Sequence, residues 1–133
     1  MLSLLLDTHI LVWWQLDTCR LSKEQSRTLL ETEKRQQSLA ISAITLWEIA
    51  KMVERGRLES SIPLHLWLED LERHPLLTVL PLTASIAVES VRLGDDFPKD
   101  PADQIIVGTA RCHSLRLVTA DERIRRWGKV PLL

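Results

Sequence analysis

The first strand of this chain is apolar on both faces and ends in an aspartate. Leucines occupy positions 2 and 4–6, and Asp7 follows directly. An apolar run without alternation is typical of a strand buried on both sides in a parallel sheet. Because ligand crevices of open parallel sheets lie beyond the carboxyl ends of the strands, Asp7 is expected at such a crevice. The sequence therefore predicts an α/β fold with a carboxylate at one sheet edge.

Length and composition indicate a single globular domain over residues 1–133. The chain is 45% hydrophobic and 26% charged, with a formal net charge of −1. No apolar run approaches the roughly 20 residues that span a bilayer, and the amino terminus lacks signal-peptide features. Cys19 and Cys112 have neither disulfide nor zinc-site spacing. Cys112 falls within a helical apolar pattern and is expected to be buried in the protein core. We expect a cytoplasmic protein that has no membrane contact.

Alternating strands and helices predict a three-layer α/β/α sandwich with a mostly parallel central sheet. Strands are predicted over 2–6, 39–41, 78–80 and 115–119, with a short last strand considered at Val130. Helices are predicted over 8–16, 23–36, 43–54, 64–73, 83–93, 102–113 and 121–127. Ser22, Ser42 and Asp100 are predicted helix N-caps, and Pro101 suits the first helical position.

Two aspartates open the helix predicted over 102–113. Capping explains Asp100 fully. It explains Asp103 only in part, because the almost wholly apolar stretch that follows would carry Asp103 into the interior or a cleft. Asp100 is therefore either a cap or a supporting residue of a site.

Two further acids have both a structural and a functional interpretation. Glu48 borders the apolar stripe of the 43–54 helix, although a surface glutamate beside Lys51 would look the same. Asp121 follows the 115–119 strand as Asp7 follows the first strand, and either aspartate could simply cap the next helix. The carboxyl ends of parallel strands share one edge, so Asp7 and Asp121 should converge there.

Packing of the helices on the sheet could bring Glu48 and Asp103 to the same edge. Two unit charges about 4 Å apart repel by roughly 4 kcal/mol at an effective dielectric constant near 20. Such a pocket therefore requires either protonated acids or a divalent cation. Oxygen-only ligands favour Mg²⁺ or Mn²⁺, which suits metal-assisted phosphoryl chemistry.

Hydroxyl side chains lie beside these acids. Thr8, Ser42, Thr45 and Thr119 are expected to orient carboxylates or waters, or to cap helices, and Thr119 is the best site candidate. His9 is expected more often to hold the strand-to-helix corner by hydrogen bonding than to act as a ligand or base.

The carboxyl-terminal part of the chain is basic. From Arg111 onward there are six basic and two acidic residues, a local net charge of +4. A solvated face is the usual interpretation of such a stretch, and contact with a nucleic-acid backbone is the alternative.

Four segments in order resemble the PIN domain, and more narrowly the VapC toxins of type II toxin–antitoxin systems. They are LDTHILVW at 6–13, ISAITLWEI at 41–49, DPADQII at 100–106 and VTADERI at 118–124. The resemblance implies a metal-dependent endoribonuclease, usually a homodimer, that an antitoxin inhibits by inserting a segment into the active-site groove. It implies Asp7, Glu48, Asp103 and Asp121 as catalytic and Mg²⁺- or Mn²⁺-binding residues. The basic carboxyl-terminal stretch, with Arg123, Arg125 and Arg126, would then be expected to approach the RNA backbone.

Two alternatives remain open at this point. A haloacid-dehalogenase-like phosphatase would use Asp7 as nucleophile, but that chemistry normally needs a second acid where this chain has His9. A non-catalytic RNA- or protein-binding module would not need the complete acidic set. Gln104 lies at a position where arginine is often expected in the family. This departure leaves the four acidic residues of the pattern intact.

Overall fold

A four-stranded parallel sheet forms the centre of the computed structural model, which describes residues 2–133. Its strands are β1 (Leu4–Leu6), β2 (Leu39–Ser42), β3 (Leu77–Leu80) and β4 (Arg116–Val118). They lie in the order β3-β2-β1-β4, and each neighbouring pair is parallel. Leu6 pairs with Val118, so the chain leaves β1 and β4 side by side at the same edge.

Helices connect the strands and cover both faces of the sheet. They are α1 (Thr8–Leu16), α2 (Lys23–Lys34), α3 (Ala43–Glu54), α4 (Leu64–Arg73), α5 (Ala84–Ser90), α6 (Pro101–Cys112) and α7 (Glu122–Trp127), with a 3-10 helix at Thr18–Arg20. Local signals set several of their ends. Ser22 and Gln25 form a reciprocal capping box at α2, and Pro101 is the first residue of α6. Gly56, at φ 69°, takes the left-handed conformation just after α3.

The two faces of the sheet bury different sets of helices, which confirms the predicted α/β/α layering. Leu4 and Leu6 point to one face and pack with side chains of α1–α4, such as Ile49. Leu5 points to the other face and packs with α6 and α7 side chains, such as Ile106. Each fully buried leucine or isoleucine of these layers stabilises the fold by about 1.5–3 kcal/mol. Because β1 is central and covered on both sides, the residue that follows it begins in a buried environment.

Three expectations need correction. Cys112 is exposed rather than in the core. It is two positions beyond buried Ala110, about 200° further round α6, and so lies off the apolar stripe. The helix predicted to reach residue 93 ends at Ser90, because the backbone N–H groups of Val91 and Arg92 bond to carbonyls three residues back in place of four. Val130 is buried but belongs to no strand.

At the carboxyl terminus, one isolated parallel bridge joins Leu117 to Leu132 instead of a regular last strand. Within residues 2–133, no helix has both the length and the apolarity needed to cross a bilayer.

Candidate active site

Asp7 is held at the end of β1 by bonds from two other elements. Its Oδ1 accepts a hydrogen bond from the backbone N–H of Thr8 at 2.8 Å, which caps α1. Its Oδ2 accepts one from the Thr119 hydroxyl at 2.6 Å. Burial raises the pKa of Asp7 in spite of both bonds. The carboxyl group is therefore fixed in orientation but poorly stabilised as an anion, the situation in which a cation is most favourable.

Thr119 ties the ends of β1 and β4 together. Besides donating to Asp7, its hydroxyl oxygen accepts a hydrogen bond from the backbone N–H of Asp121 at 3.0 Å. The Thr119 side chain is completely buried. One hydroxyl thus fixes the carboxylate of one strand end and the backbone of the other, and Asp121 in turn contributes to raising the pKa of Asp7.

Glu48 reaches the same edge from α3 through a chain of hydroxyl groups. The Thr8 hydroxyl donates to Glu48 Oε1 at 2.5 Å and lies 3.0 Å from the Thr45 hydroxyl oxygen. Because Thr8 has a single hydroxyl hydrogen, Thr45 is the donor in the second contact. Burial raises the pKa of Glu48, and repulsion from Asp7 adds to the effect.

Thr45 therefore supports the site more directly than Ser42 does. The Ser42 hydroxyl accepts from the backbone N–H of Ile44 at 3.2 Å and caps α3. Among the described residues this is the only hydrogen bond of the Ser42 side chain, so Ser42 acts as a helix cap and does not orient a carboxylate.

Asp100 and Asp103 have separate roles. Asp100 Oδ1 accepts from the backbone N–H of Asp103 at 3.1 Å and caps α6. The cap holds the first turn so that the Asp103 side chain, only 12% exposed, points inward. Burial and then repulsion from the four other acids raise the pKa of Asp103 from 3.8 to about 8. We call these five residues the acidic cluster: Asp7, Glu48, Asp100, Asp103 and Asp121.

Asp121 differs from the other members because an arginine neutralises it. Its Oδ1 accepts from the backbone N–H of Arg123 at 2.9 Å, and Nε and Nη2 of the same residue lie 3.3 and 3.0 Å from Oδ1 and Oδ2. Burial alone would raise the pKa of Asp121, but the bonds from Arg123 outweigh it and the pKa is lowered. Arg123 Nη2 also lies 3.6 Å from Asp103 Oδ2.

The structure separates the three arginines that the sequence grouped together. Arg123 faces the acidic cluster. Arg125 donates through Nη1 to the carbonyl oxygens of Thr119 and Leu133, at 3.2 and 3.1 Å, and so ties the carboxyl terminus to the end of β4. Arg126 is exposed and contacts a backbone carbonyl of its own helix.

His9 does not hold the strand-to-helix corner as expected. Its side chain is exposed at the start of α1, with its ring 6.1 Å from that of Trp13. The corner is held instead by the bonds of Asp7 and Thr8 described above. His9 faces a groove that opens beside the acidic cluster.

This groove, which we call the α1–α3 groove, has a volume of about 700 Å³. Glu48 and Asp100 of the acidic cluster line it, together with Trp13. Four cationic side chains also line it, and so do two further carboxylates: Arg20, Lys51, Arg55 and Arg57, with Asp17 and Glu59. Sequence reasoning did not group these cations, although Lys51 and Arg55 follow Glu48 at i+3 and i+7 and so share its helix face.

The donor set of the acidic cluster fits a hard divalent cation. All its side chains offer carboxylate oxygens, which are the ligands that Mg²⁺ and Mn²⁺ prefer. Burial raises the pKa of three of them, Asp7, Glu48 and Asp103, and a bound cation would favour their ionised forms. Among residues 2–133, no three acidic, histidine or cysteine side chains are placed to hold one ion directly. Mg²⁺ commonly binds through one or two carboxylates and keeps several waters, so this spacing suits partly water-mediated ligation.

Comparison with known proteins agrees with this architecture. A family model described as the PIN domain matches residues 4–130. Ribonuclease VapC22 of Mycobacterium tuberculosis is 38% identical over 125 residues, which cover 94% of this chain and 92% of that protein.

Two solved structures have a similar fold. VapBC2 from Rickettsia felis, bound to a DNA fragment from its promoter, superimposes with a TM-score of 0.72 at 19% identity, covering 100% of this chain and 98% of the other. A toxin–antitoxin complex from Klebsiella pneumoniae has a TM-score of 0.60 at 25% identity, with 97% and 93% coverage.

Proposed function

The chain belongs to the PIN-domain family, and from this premise we propose that it is a divalent-metal-dependent endoribonuclease, the toxin of a toxin–antitoxin pair. The observation that carries the proposal is the convergence of the buried carboxyl groups of Asp7 and Asp103 and the half-buried carboxyl group of Glu48, all with raised pKa values, at one sheet edge. Helix capping accounts for Asp100 and for one oxygen of Asp7, but it does not account for Glu48 or Asp103, which cap no helix. Residues 1–133 would act as one nuclease domain.

Asp7, Glu48, Asp103 and Asp121 would hold Mg²⁺ or Mn²⁺, directly or through waters. When bound, the ion would supply Lewis-acid stabilisation of the phosphate and lower the pKa of a water molecule. Residues of the chain itself orient the carboxyl groups and accept the proton.

Thr119 and Thr8 fix the carboxyl groups of Asp7 and Glu48, so that little reorganisation is needed during the reaction. An ionised carboxylate of the acidic cluster accepts the proton of the attacking water.

The α1–α3 groove is the proposed path of the RNA strand. Its cationic side chains can neutralise phosphates, and Trp13 offers an aromatic surface for an unpaired base. Glu48 and Asp100, which belong to the acidic cluster, line the groove, so a strand lying in it would contact the cluster. This assignment replaces much of the RNA contact expected of Arg125 and Arg126.

The proposed protein partners are a cognate antitoxin and a second copy of this chain. Similar folds occur in a VapBC structure and in a toxin–antitoxin complex. An antitoxin segment placed in the α1–α3 groove would exclude RNA from the acids. For the homodimer, the exposed apolar side chains of Val88 and Val91 offer a surface. Action on cellular RNA places the protein in the cytoplasm, and the free thiols of its two cysteines are compatible with a reducing compartment.

The test is cleavage of a mixed RNA pool by the purified chain with Mg²⁺, Mn²⁺ or EDTA. Asp7→Asn removes a cluster charge, and Asp95→Asn, at an exposed aspartate, is the matched control. We expect discrete metal-dependent cuts from the wild type and the control, and loss of most of the cleavage in Asp7→Asn because the metal site loses a charged ligand. Cuts that persist in EDTA, or in Asp7→Asn, would refute the assignment. A folded chain that binds RNA and Mn²⁺ without cutting would indicate a binding module instead.

A further inference from the structure

We propose that Arg123 is an internal counter-cation of the acidic cluster, which competes with the divalent ion for the carboxylates of Asp121 and Asp103. Binding of the ion and withdrawal of the Arg123 side chain would then be coupled. The inference rests on the proposed function, since it concerns the same metal site. It assigns to Arg123 a role different from the simple RNA contact expected from the sequence.

The hydrogen bonding of Asp121 shows why the two cations must compete. Its Oδ1 already accepts from both the backbone N–H and Nε of Arg123, which accounts for both lone pairs of that oxygen. Its Oδ2 accepts from Arg123 Nη2 at 3.0 Å. An ion can therefore reach Asp121 only through the remaining lone pair of Oδ2, next to the guanidinium group.

Asp103 is shared in the same way. Its Oδ2 is 3.6 Å from Arg123 Nη2, the same nitrogen that lies 3.0 Å from Asp121 Oδ2. A divalent ion that bridges these oxygens would be placed close to a guanidinium of like charge. Repulsion between cations at such distances is strong in a partly desolvated site. The ion and the Arg123 guanidinium group therefore cannot both occupy this position.

Of the three side chains, that of Arg123 can move at the lowest cost in free energy. Its side chain is 57% exposed, whereas those of Asp103 and Asp121 are 12% and 25% exposed. Swinging outward would place the guanidinium in water, and the backbone N–H of Arg123 would still hold Oδ1 of Asp121. Once released, the side chain would lie at the rim of the site, where a planar fork is well suited to an RNA phosphate.

The test measures Mn²⁺ affinity of the purified chain by calorimetry, with free Mn²⁺ followed by electron paramagnetic resonance. Arg123→Gln removes the competitor, and Arg126→Gln removes the same charge from an exposed position of the same helix. Arg123→Lys keeps the charge but loses the bidentate fork. Unfolding curves in EDTA establish that each variant is folded.

We expect Arg123→Gln to bind Mn²⁺ about tenfold more tightly than the wild type, at the lower end of the effects that groups around metal ligands exert. Arg126→Gln should change affinity less than about twofold, because an exposed charge is screened. Arg123→Lys should fall between the two. In EDTA, Arg123→Gln should have a lower Tm than the wild type. Saturating Mn²⁺ should make the Tm difference between the two proteins smaller.

Each contrary outcome has a distinct meaning. Unchanged or weaker binding by Arg123→Gln would overturn the competition and make Arg123 a residue that positions Asp121. An equal gain in Arg126→Gln would reduce the effect to net charge and also overturn it. If the wild type binds no Mn²⁺, or binds it equally well as Asp7→Asn, the proposed metal site fails and the inference fails with it.

Discussion

Replacing Asp103 by asparagine is expected to stabilise the folded chain in the absence of divalent metal, and to do so more strongly as the pH rises. Burial and repulsion from the neighbouring acids raise the pKa of Asp103 to about 8. The folded state therefore holds this proton more tightly than the unfolded state does. Wild-type stability then falls as the pH rises from about 4 to about 8, and is constant above that. Asparagine has no such proton, so the variant escapes this loss.

The magnitude follows from the pKa and from the exposure of the carboxyl group. A pKa displaced from 3.8 to about 8 corresponds to about 6 kcal/mol if fully expressed. Because solvent and proton uptake by the neighbouring acids relieve part of the repulsion, we expect about half, roughly 3 kcal/mol. Asp103 also lies in the first turn of α6, where its charge favours the helix by about 0.5 kcal/mol. The net gain near pH 8 is about 2.5 kcal/mol, or roughly 8–10 °C in Tm.

The assay is thermal unfolding followed by circular dichroism in EDTA, at several pH values from about 4 to about 8.5. The matched control is Asp96→Asn. The hydrogen bond from Lys129 lowers the pKa of Asp96, so this variant should lose stability above the unfolded pKa, which is the opposite sign. Addition of Mn²⁺ at about 100 times its Kd should stabilise the wild type by about 2.7 kcal/mol. Asp103→Asn should gain much less.

The reasoning is refuted if the Tm difference between Asp103→Asn and the wild type does not grow with pH in EDTA. A difference that is the same near pH 4 and near pH 8 would mean that Asp103 is not under electrostatic strain. A loss of stability in Asp103→Asn at every pH would show that helix capping or packing dominates.

Three further substitutions probe the supports of the site. Thr119→Val removes the bonds to the Asp7 carboxylate and the Asp121 backbone; it should cost about 2 kcal/mol in urea unfolding and weaken Mn²⁺ binding in calorimetry. Gly108→Ala would place a Cβ 3.1 Å from the backbone nitrogen of Ser90, so a loss of about 1–2 kcal/mol is expected in the same assay, and a gain would contradict it. Ser22→Ala removes the α2 capping box and should lower stability by about 1 kcal/mol without changing metal affinity.

Local patterns in the sequence predicted the order and most bounds of the elements. The apolar run before Asp7, the cap-and-proline pair before α6 and the glycine after α3 each act within a few residues. One prediction that was wrong, the burial of Cys112, depended on which way a helix faces. Cys112 fits an apolar pattern in the sequence, but the rotation of α6 on the sheet leaves it exposed.

The carboxylates were also identifiable, since strand ends and helix starts are fixed by local signals. Their pairing was not. The Thr8 hydroxyl meets Glu48 across 40 positions of sequence, and the Thr119 hydroxyl meets Asp7 across 112. Nothing local in the chain indicates that Arg123 would turn toward Asp103, or that Arg125 would turn away to the carboxyl terminus.

The sequence by itself determined the layered α/β fold and the acids available at its edge, because strand burial, capping and helical periodicity are properties of neighbouring residues. Only the tertiary structure decided which acids are held by hydroxyls, which are neutralised by an arginine and which are left in need of a cation. The physical reason is that the free energy of a buried charge depends on the few groups within hydrogen-bonding distance. Strand register and helix rotation bring those groups from distant parts of the chain.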